Sequence, residues 1–201
     1  MPKPPDRHTQ RKAITRQKLL DATRVLIVEK GYSQADILDI TEEANVSRGT
    51  FYKHFKNKED CVQALIQQGF DALVAEISSS KQNFVLQPQW VKQSFRRIFK
   101  WAEENQGVVL LMVGGTVSPK LNAFGIQYMT RVIKSHIMDN QMLLGGKEYP
   151  LPYPPDVLAQ VATGMYVRTI DWWLKNDTGY TAEQMGDMLS DILLFGIIPR
   201  T

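Results

Sequence analysis

A single cysteine in 201 residues, Cys61, has no partner for an internal disulfide, which fits a reducing compartment. As a lone thiol it reads as a small buried hydrophobe. No apolar run approaches the roughly 18 residues that a bilayer span needs. The opening stretch, Met1-Pro2-Lys3-Pro4-Pro5, has no apolar segment of the secretory kind. The expectation is a soluble, cytoplasmic protein without membrane contact. The three histidines, His8, His54 and His136, lie far apart, with no His-x-x-x-His pair and no cysteine cluster. Neither a metal site nor a cofactor is therefore expected. Phosphate-binding glycine loops, paired His-Glu ligands and nucleophile motifs are missing too, which argues against a small helical enzyme. Alternating strand patterns and internal repeats do not occur.

What is present is charge on one side of the chain and helical periodicity throughout. Hydrophobic residues make up 43%, enough for a real core. The formal net charge of +3 is concentrated: residues 1–60 carry 12 Lys/Arg against 9 Asp/Glu, and the rest carries 12 of each. Six basic residues, Lys3, Arg7, Arg11, Lys12, Arg16 and Lys18, stand within the first 18 positions, with Asp6 alone against them. A localised positive surface suits a polyanion partner.

Residues 1–8 read as a disordered basic arm. Thr9 is placed to cap a helix over roughly 10–30 that Gly31 ends. Asp36 caps a second helix, about 37–44, with Ile37, Ile40 and Ala44 on one face. Asn45 sits where a tight interhelical turn needs a left-handed residue. Ser47 caps a third helix, about 48–54, anchored by Phe51 and Phe55. Asn57 and Asp60 resemble a capping box for a fourth, about 58–79. Further helices are expected over roughly 88–105, 107–113, 119–144, 155–176 and 182–197. The seventh is capped by Ser118 with Pro119 at its first position, and the last by Thr181 with Gln184. Four prolines exclude helix from the loop at 145–155. The fold expected is all-α: a three-helix helix-turn-helix domain over residues 9–57, then a connecting helix leading into a helical regulatory and dimerisation domain, 58–201.

The stretch Asn45-Val46-Ser47-Arg48-Gly49-Thr50-Phe51-Tyr52-Lys53-His54-Phe55 is the most informative part. Its second helix carries Arg, Thr, Tyr, Lys and His within seven positions, as a recognition helix on DNA would. Residues 16–65 resemble the DNA-binding head of the TetR family of bacterial regulators. The likeness runs from Arg16 and Leu19-Leu20-Asp21-Ala22 through Gly31-Tyr32, Ile37 and Ile40. It continues over Ala44–Phe55 to Asn57-Lys58-Glu59-Asp60 without a gap. Two positions depart from the family: Asn45 stands where Gly is usual, and Ala35-Asp36 replace a pair of hydroxyl residues.

The resemblance implies that the third helix enters the major groove, offering Arg48, Thr50, Tyr52, Lys53 and His54, with Ser47 and side-chain-free Gly49 allowing close approach. Arg48 is the candidate for a base contact to guanine. Tyr52 and His54 suit phosphate oxygens, which fix register. Lys58, Lys12 and Arg16 add phosphate contacts, so Lys58→Ala is expected to weaken binding to all sequences and reduce its salt dependence. Short heads of this kind read palindromes as pairs, so a homodimer is expected. Its surface should come from the last two helices, through Leu158, Val161, Met165, Trp172, Met188, Leu189, Ile192 and Phe195, with small Gly164 permitting close approach.

Seven of the eight methionines follow residue 100. Phe95, Phe99, Met112, Phe124, Tyr128, Met165 and Tyr166 are candidates to line a pocket for a small apolar or aromatic ligand. For any one of them, filling the core is the better bet. In the family, a body ligand shifts the connecting helix and the spacing of the heads, with Gly114-Gly115 and Gly125 as candidate hinges here. The function expected is a sequence-specific repressor released from a palindromic operator by a small molecule. The alternative is a regulator controlled by a protein partner.

Overall fold

The computed structural model describes residues 6–79, 88–113, 118–143 and 153–196. Among these the regular structure is helical, with no strand. The head comprises α1 (Arg7–Lys30), α2 (Ile37–Glu43) and α3 (Arg48–Tyr52), and α4 (Lys58–Ser79) leads out of it. The body is α5 (Pro88–Glu104), α6 (Gln106–Val113), α7 (Pro119–Leu143), α8 (Pro155–Lys175) and α9 (Ala182–Phe195).

Local chemistry explains the boundaries in the head. Asp36 Oδ1 accepts from Asp39 N at 2.9 Å, and Asp39 Oδ2 accepts from Asp36 N at 3.0 Å. This reciprocal box satisfies two N–H groups that the first turn leaves orphaned. Asn45 has φ of 51°, which lets Val46 N turn back to Thr41 O at 2.9 Å. Ser47 Oγ then accepts from Thr50 N at 3.2 Å and starts α3. Asp60 N donates to Asn57 Oδ1, while the Asp60 carboxylate accepts from Lys56 N rather than Asn57 N, a shifted version of the expected box.

Two boundaries of the head differ from expectation: α3 stops at Tyr52, which leaves Lys53 and His54 in the turn after it, and α1 starts earlier than expected. α1 begins at Arg7, not after Thr9, and Asp6 makes no side-chain cap bond. Arg7 and His8 are thus helical rather than part of a disordered arm. Pro4 and Pro5 are the nearest residues in sequence that forbid a continuing helix, and nothing between them and Thr9 opposes one. Residues 1–5, Gly114-Gly115 and most of the loop at 145–155 lie outside the described residues.

The head's core is Leu19, Leu20, Thr23, Ile40, Phe51, Phe55, Cys61 and Val62, all buried. Cys61 Sγ lies 3.3 Å from Thr23 Oγ1, and burial pushes its thiol up to about 11. It stays protonated, a packing residue and not a nucleophile. Phe70 on α4 stacks on Trp101 of α5 at 5.7 Å and meets Tyr128 of α7 at 5.6 Å. The connecting helix is therefore wedged into the body.

The body is built from two helix pairs. α5 and α9 form its most extensive pairing. A Cβ on Gly186 would stand 2.6 Å from the Arg96 backbone. Arg96 donates two bonds to Asp187 (2.6 and 2.7 Å) and pairs with Glu183 at 2.7 Å, and Lys92 pairs with Asp191 at 2.8 Å. α7 and α8 form the second pair, with the hydroxyls of Thr130 and Thr163 3.1 Å apart in its interior. Aromatic rings fill the seam between the pairs: Phe95 on Tyr166 at 4.9 Å and Phe99 edge-on to Trp173 at 5.5 Å. Gly125, expected as a hinge, instead lets α7 lie on α6, since its missing Cβ would sit 2.9 Å from Met112 Cβ.

Candidate nucleic-acid interface

The outer face of α3 is polar and open. Ser47, Arg48, Gly49, Tyr52 and Lys53 are exposed and Thr50 half-buried, while Phe51 (0%) and Phe55 (3%) fasten the helix to the core. A methyl on Gly49 would meet only Ser47 Oγ, at 3.9 Å, so this side of the helix is bare. Arg48 lies over the Tyr52 ring, 5.8 Å from its centroid, with Nη2 3.5 Å from the phenol oxygen. Tyr52 thus holds Arg48 on the exposed face.

Tertiary structure brings residues of α1 to this face. Arg16 stacks on Phe55, 5.0 Å from the ring centroid. Burial holds the half-buried His54 imidazole below its ordinary value, and the charges of Lys12, Arg16 and Lys53 hold it lower still. The charges of Lys12, Arg16 and Lys53 thus all bear on the His54 imidazole and disfavour its charged form, a grouping of cations that suits a phosphate strand.

A pH dependence follows. Phosphates laid over these cations favour the imidazolium, so binding takes up a proton. DNA affinity is expected to rise as pH falls from about 8 to about 6, beyond the change in a His54→Gln variant. Equal pH profiles for the two proteins would contradict this. Folding responds in the opposite sense. Because the folded value is depressed, the stability His54 contributes is complete above its ordinary value and declines as pH falls through it towards the folded value.

Lys58 departs from the sequence reading. Its ammonium donates to Tyr32 O at 2.8 Å and Ala35 O at 2.7 Å, over the Tyr32 ring at 4.2 Å. It pins the α1–α2 connection to α4, and its charge is already committed inside the fold. Lys58→Ala leaves two carbonyls without their donor, an expected loss of about 1–3 kcal/mol in chemical denaturation. The salt dependence of DNA binding should stay unchanged, contrary to the sequence expectation.

The residues expected to line a pocket do not meet in one void. Phe95, Phe99 and Tyr166 fill the α5–α8 seam. Phe124 and Tyr128 stack at 6.0 Å beside Phe70, and Met112 backs onto Gly125. Met165 is half-buried against the core. A groove of about 750 Å³ between α5 and the turn before α9 is lined by none of them; Arg96, Lys100, Tyr180 and Glu183 are among its walls. Of the residues expected at a dimer surface, Val161, Trp172, Met188, Ile192 and Phe195 are exposed, and Leu158 and Met165 half-buried. Leu189 is 6% exposed and belongs to the core, on the side of α9 that faces the body. Among the described residues, no group of His, Cys, Asp and Glu could hold a metal, and no helix is long and apolar enough to cross a membrane.

The fold and this face define a helix-turn-helix DNA-binding transcription regulator. Residues 19–65 match the bacterial regulatory proteins of the tetR family, and residues 90–194 match a transcriptional regulator C-terminal region. The chain belongs to the TetR family.

The chain is 44% identical over 54 residues to the HTH-type transcriptional regulator YvkB of Bacillus subtilis, a match over 27% of this chain and 29% of that one. It spans about a third of the length of the first curated relatives it matches. A longer match, 22% identical over 186 residues, covers 90% of this chain and 94% of the fatty acid metabolism regulator protein of Bacillus subtilis. Among solved structures, FadR from Bacillus subtilis in complex with stearoyl-CoA superposes with a TM-score of 0.71 at 19% identity, over 90% of this chain and 99% of that one. At that identity the likeness shows the fold alone.

Proposed function

We propose that this chain is a cytoplasmic homodimeric repressor that occupies a palindromic operator and leaves it when an apolar small molecule, first candidate a long-chain acyl-CoA, enters the body. The observation that carries the operator reading is the exposed outer face of α3, where Tyr52 holds Arg48; the charges of Lys12, Arg16 and Lys53 around His54 add to it. In this reading the head, from Arg7 to about residue 57, is the DNA-binding domain, and the remainder regulates and dimerises. Dimerisation is supported by the exposed apolar stripe of Val157, Val161 and Trp172 on α8 with Met188, Ile192 and Phe195 on α9. A methyl on Gly164 would meet nothing within 4 Å, leaving that side of α8 open to a partner helix.

The acyl-CoA candidate is supported by the stearoyl-CoA complex of the FadR neighbour and by the apolar seam. A ligand there must part Phe95 from Tyr166 and Phe99 from Trp173, so it binds an opened body more tightly than the packed one. That difference in affinity is the work available to move α4 and the heads. The close packing of the seven candidate residues also favours a second reading, control by a protein partner.

The test uses a labelled operator duplex, selected by the full chain from a random library, read by anisotropy while stearoyl-CoA is added. Release with saturable quenching of tryptophan fluorescence is expected. No release by acyl-CoAs of any chain length, with tight operator binding intact, would leave the protein-partner reading.

A further inference from the structure

The head meets the body at a joint that the operator face does not use. The first half of α4 belongs to the head. Cys61, Val62, Leu65 and Ile66 are buried and α4 packs on α1. Gln68 Nε2 donates to Gln17 Oε1 at 2.7 Å, and Lys58 ties the α1–α2 connection to the same helix. From Gly69 onward α4 belongs to the body. A Cβ on Gly69 would stand 3.0 Å from Trp101 Cζ2, and Phe70 stacks on that ring. The head and the start of α4 are therefore one piece, anchored to the body only further along the helix.

Ahead of that anchor, two body helices reach the head with their first turns. Gly107 of α6 lies against Val28 near the end of α1, where its missing Cβ would be 3.2 Å from Val28 Cγ2. Lys120 of α7 pairs with half-buried Glu59 of α4 at 2.8 Å. Lys58 and Glu59 thus serve opposite sides, one holding the head and the other the body. The Tyr32 phenol lies at the same joint. Burial and the Glu59 charge raise it, and the hydroxyl of Ser118, which caps α7, draws it back. An exposed ion pair adds little to folding stability. What this one can fix is the angle of the head, because α7 packs along α8, the helix that carries Val161 and Trp172 of the dimer stripe.

We infer that the Glu59–Lys120 pair is a clasp that sets the operator spacer length this protein accepts, locking each head to α7 with the Gly107–Val28 contact as the pivot. The inference rests on the palindrome-binding homodimer proposed above and names what fixes its half-site spacing. One extra base pair in a spacer moves a half-site by roughly 3.4 Å along the duplex and turns it by about 35°. Clasped heads cannot follow that change. Unclasped heads rock on the pivot and follow it in part. The clasp touches no base, so the sequence preference within a half-site is independent of it.

The experiment titrates the full chain, Glu59→Gln, Lys120→Gln and the double variant against the selected palindrome and against two duplexes whose spacer is one base pair longer or shorter. Glutamine keeps helix propensity. The wild type is expected to bind the altered spacers on the order of tenfold or more weakly. Each single variant should show a spacer penalty smaller by about threefold or more, since a dimer releases two such pairs. The two single variants should agree and the double variant should add nothing, as for partners in one interaction. Preference for selected over scrambled half-sites should persist in all of them. An unchanged spacer penalty in the variants would overturn the inference. So would opposite effects of Glu59→Gln and Lys120→Gln, which alter charge in opposite senses and would then be acting on DNA directly. Loss of half-site preference together with the spacer penalty would equally overturn it, because the head itself would have loosened. A wild type that binds a single half-site as tightly as the palindrome is a separate result: it removes the dimeric operator reading, and the clasp with it.

Discussion

Arg48→Ala is expected to erase most of the preference for operator over scrambled duplex while the protein stays folded. Arg48 is exposed on α3, contributes nothing to the core, and is held outward by the Tyr52 ring and hydroxyl. A bidentate guanine contact is worth about 1–3 kcal/mol of discrimination, and a palindrome presents it twice, which corresponds to roughly thirty-fold to ten-thousand-fold. Residual binding should be the salt-sensitive, sequence-blind part carried by Lys12, Arg16 and Lys53. Competition between selected and scrambled duplexes at fixed salt reads the effect. A variant that still discriminates as well as the wild type would move the reading residue elsewhere on α3.

The second large effect is structural. Gly186→Ala places a methyl carbon 2.6 Å from the Arg96 Cα and backbone nitrogen. Backbone cannot swing aside as a flexible side chain would, so α9 must lift from α5. Overpacking of this kind costs about 1–3 kcal/mol, outweighing the roughly 1 kcal/mol of helix propensity that alanine returns. Gly186→Val should be worse, with the Arg96–Asp187 and Lys92–Asp191 pairs opened as the helices part. Chemical denaturation measures the loss, and Gly164→Ala, whose methyl meets nothing within 4 Å, is the contrast. Equal stability of Gly186→Ala and wild type would mean that the two helices are not pressed together in solution.

These two residues differ in how far the sequence exposes their roles. Arg48 stands in a string whose spacing belongs to one family, so its place on the recognition helix is legible from neighbours alone. Gly186 sits in α9 between Met185 and Asp187 with no turn signal near it. Its partner is 90 positions away in sequence, and no local pattern announces a close backbone approach. Leu189 and Lys58 teach the same lesson. The apolar stripe of α9 is wide enough to serve two faces, and only packing against α5 decides that Leu189 belongs inward. Lys58 opens a helix beside cations that suit phosphate, yet two carbonyls of the α1–α2 connection claim its ammonium.

The sequence by itself determined the helices, the turn and the caps of α2, α3 and α9, though not the start of α1. Asp36 with Asp39, Asn45, Ser47, and Thr181 with Gln184 act on backbone groups within three or four residues, and such chemistry is complete in the local string. Only the tertiary structure decided which charges stand together and which apolar faces stay open. It brought the charges of Lys12 and Arg16 of α1, with Lys53, to bear on His54, closed the aromatic seam between α5 and α8, and left Arg7 to Ile14 of α1 exposed. Coulombic and packing energies depend on distances of a few ångströms between residues far apart in the chain, and those distances exist only once the helices have crossed.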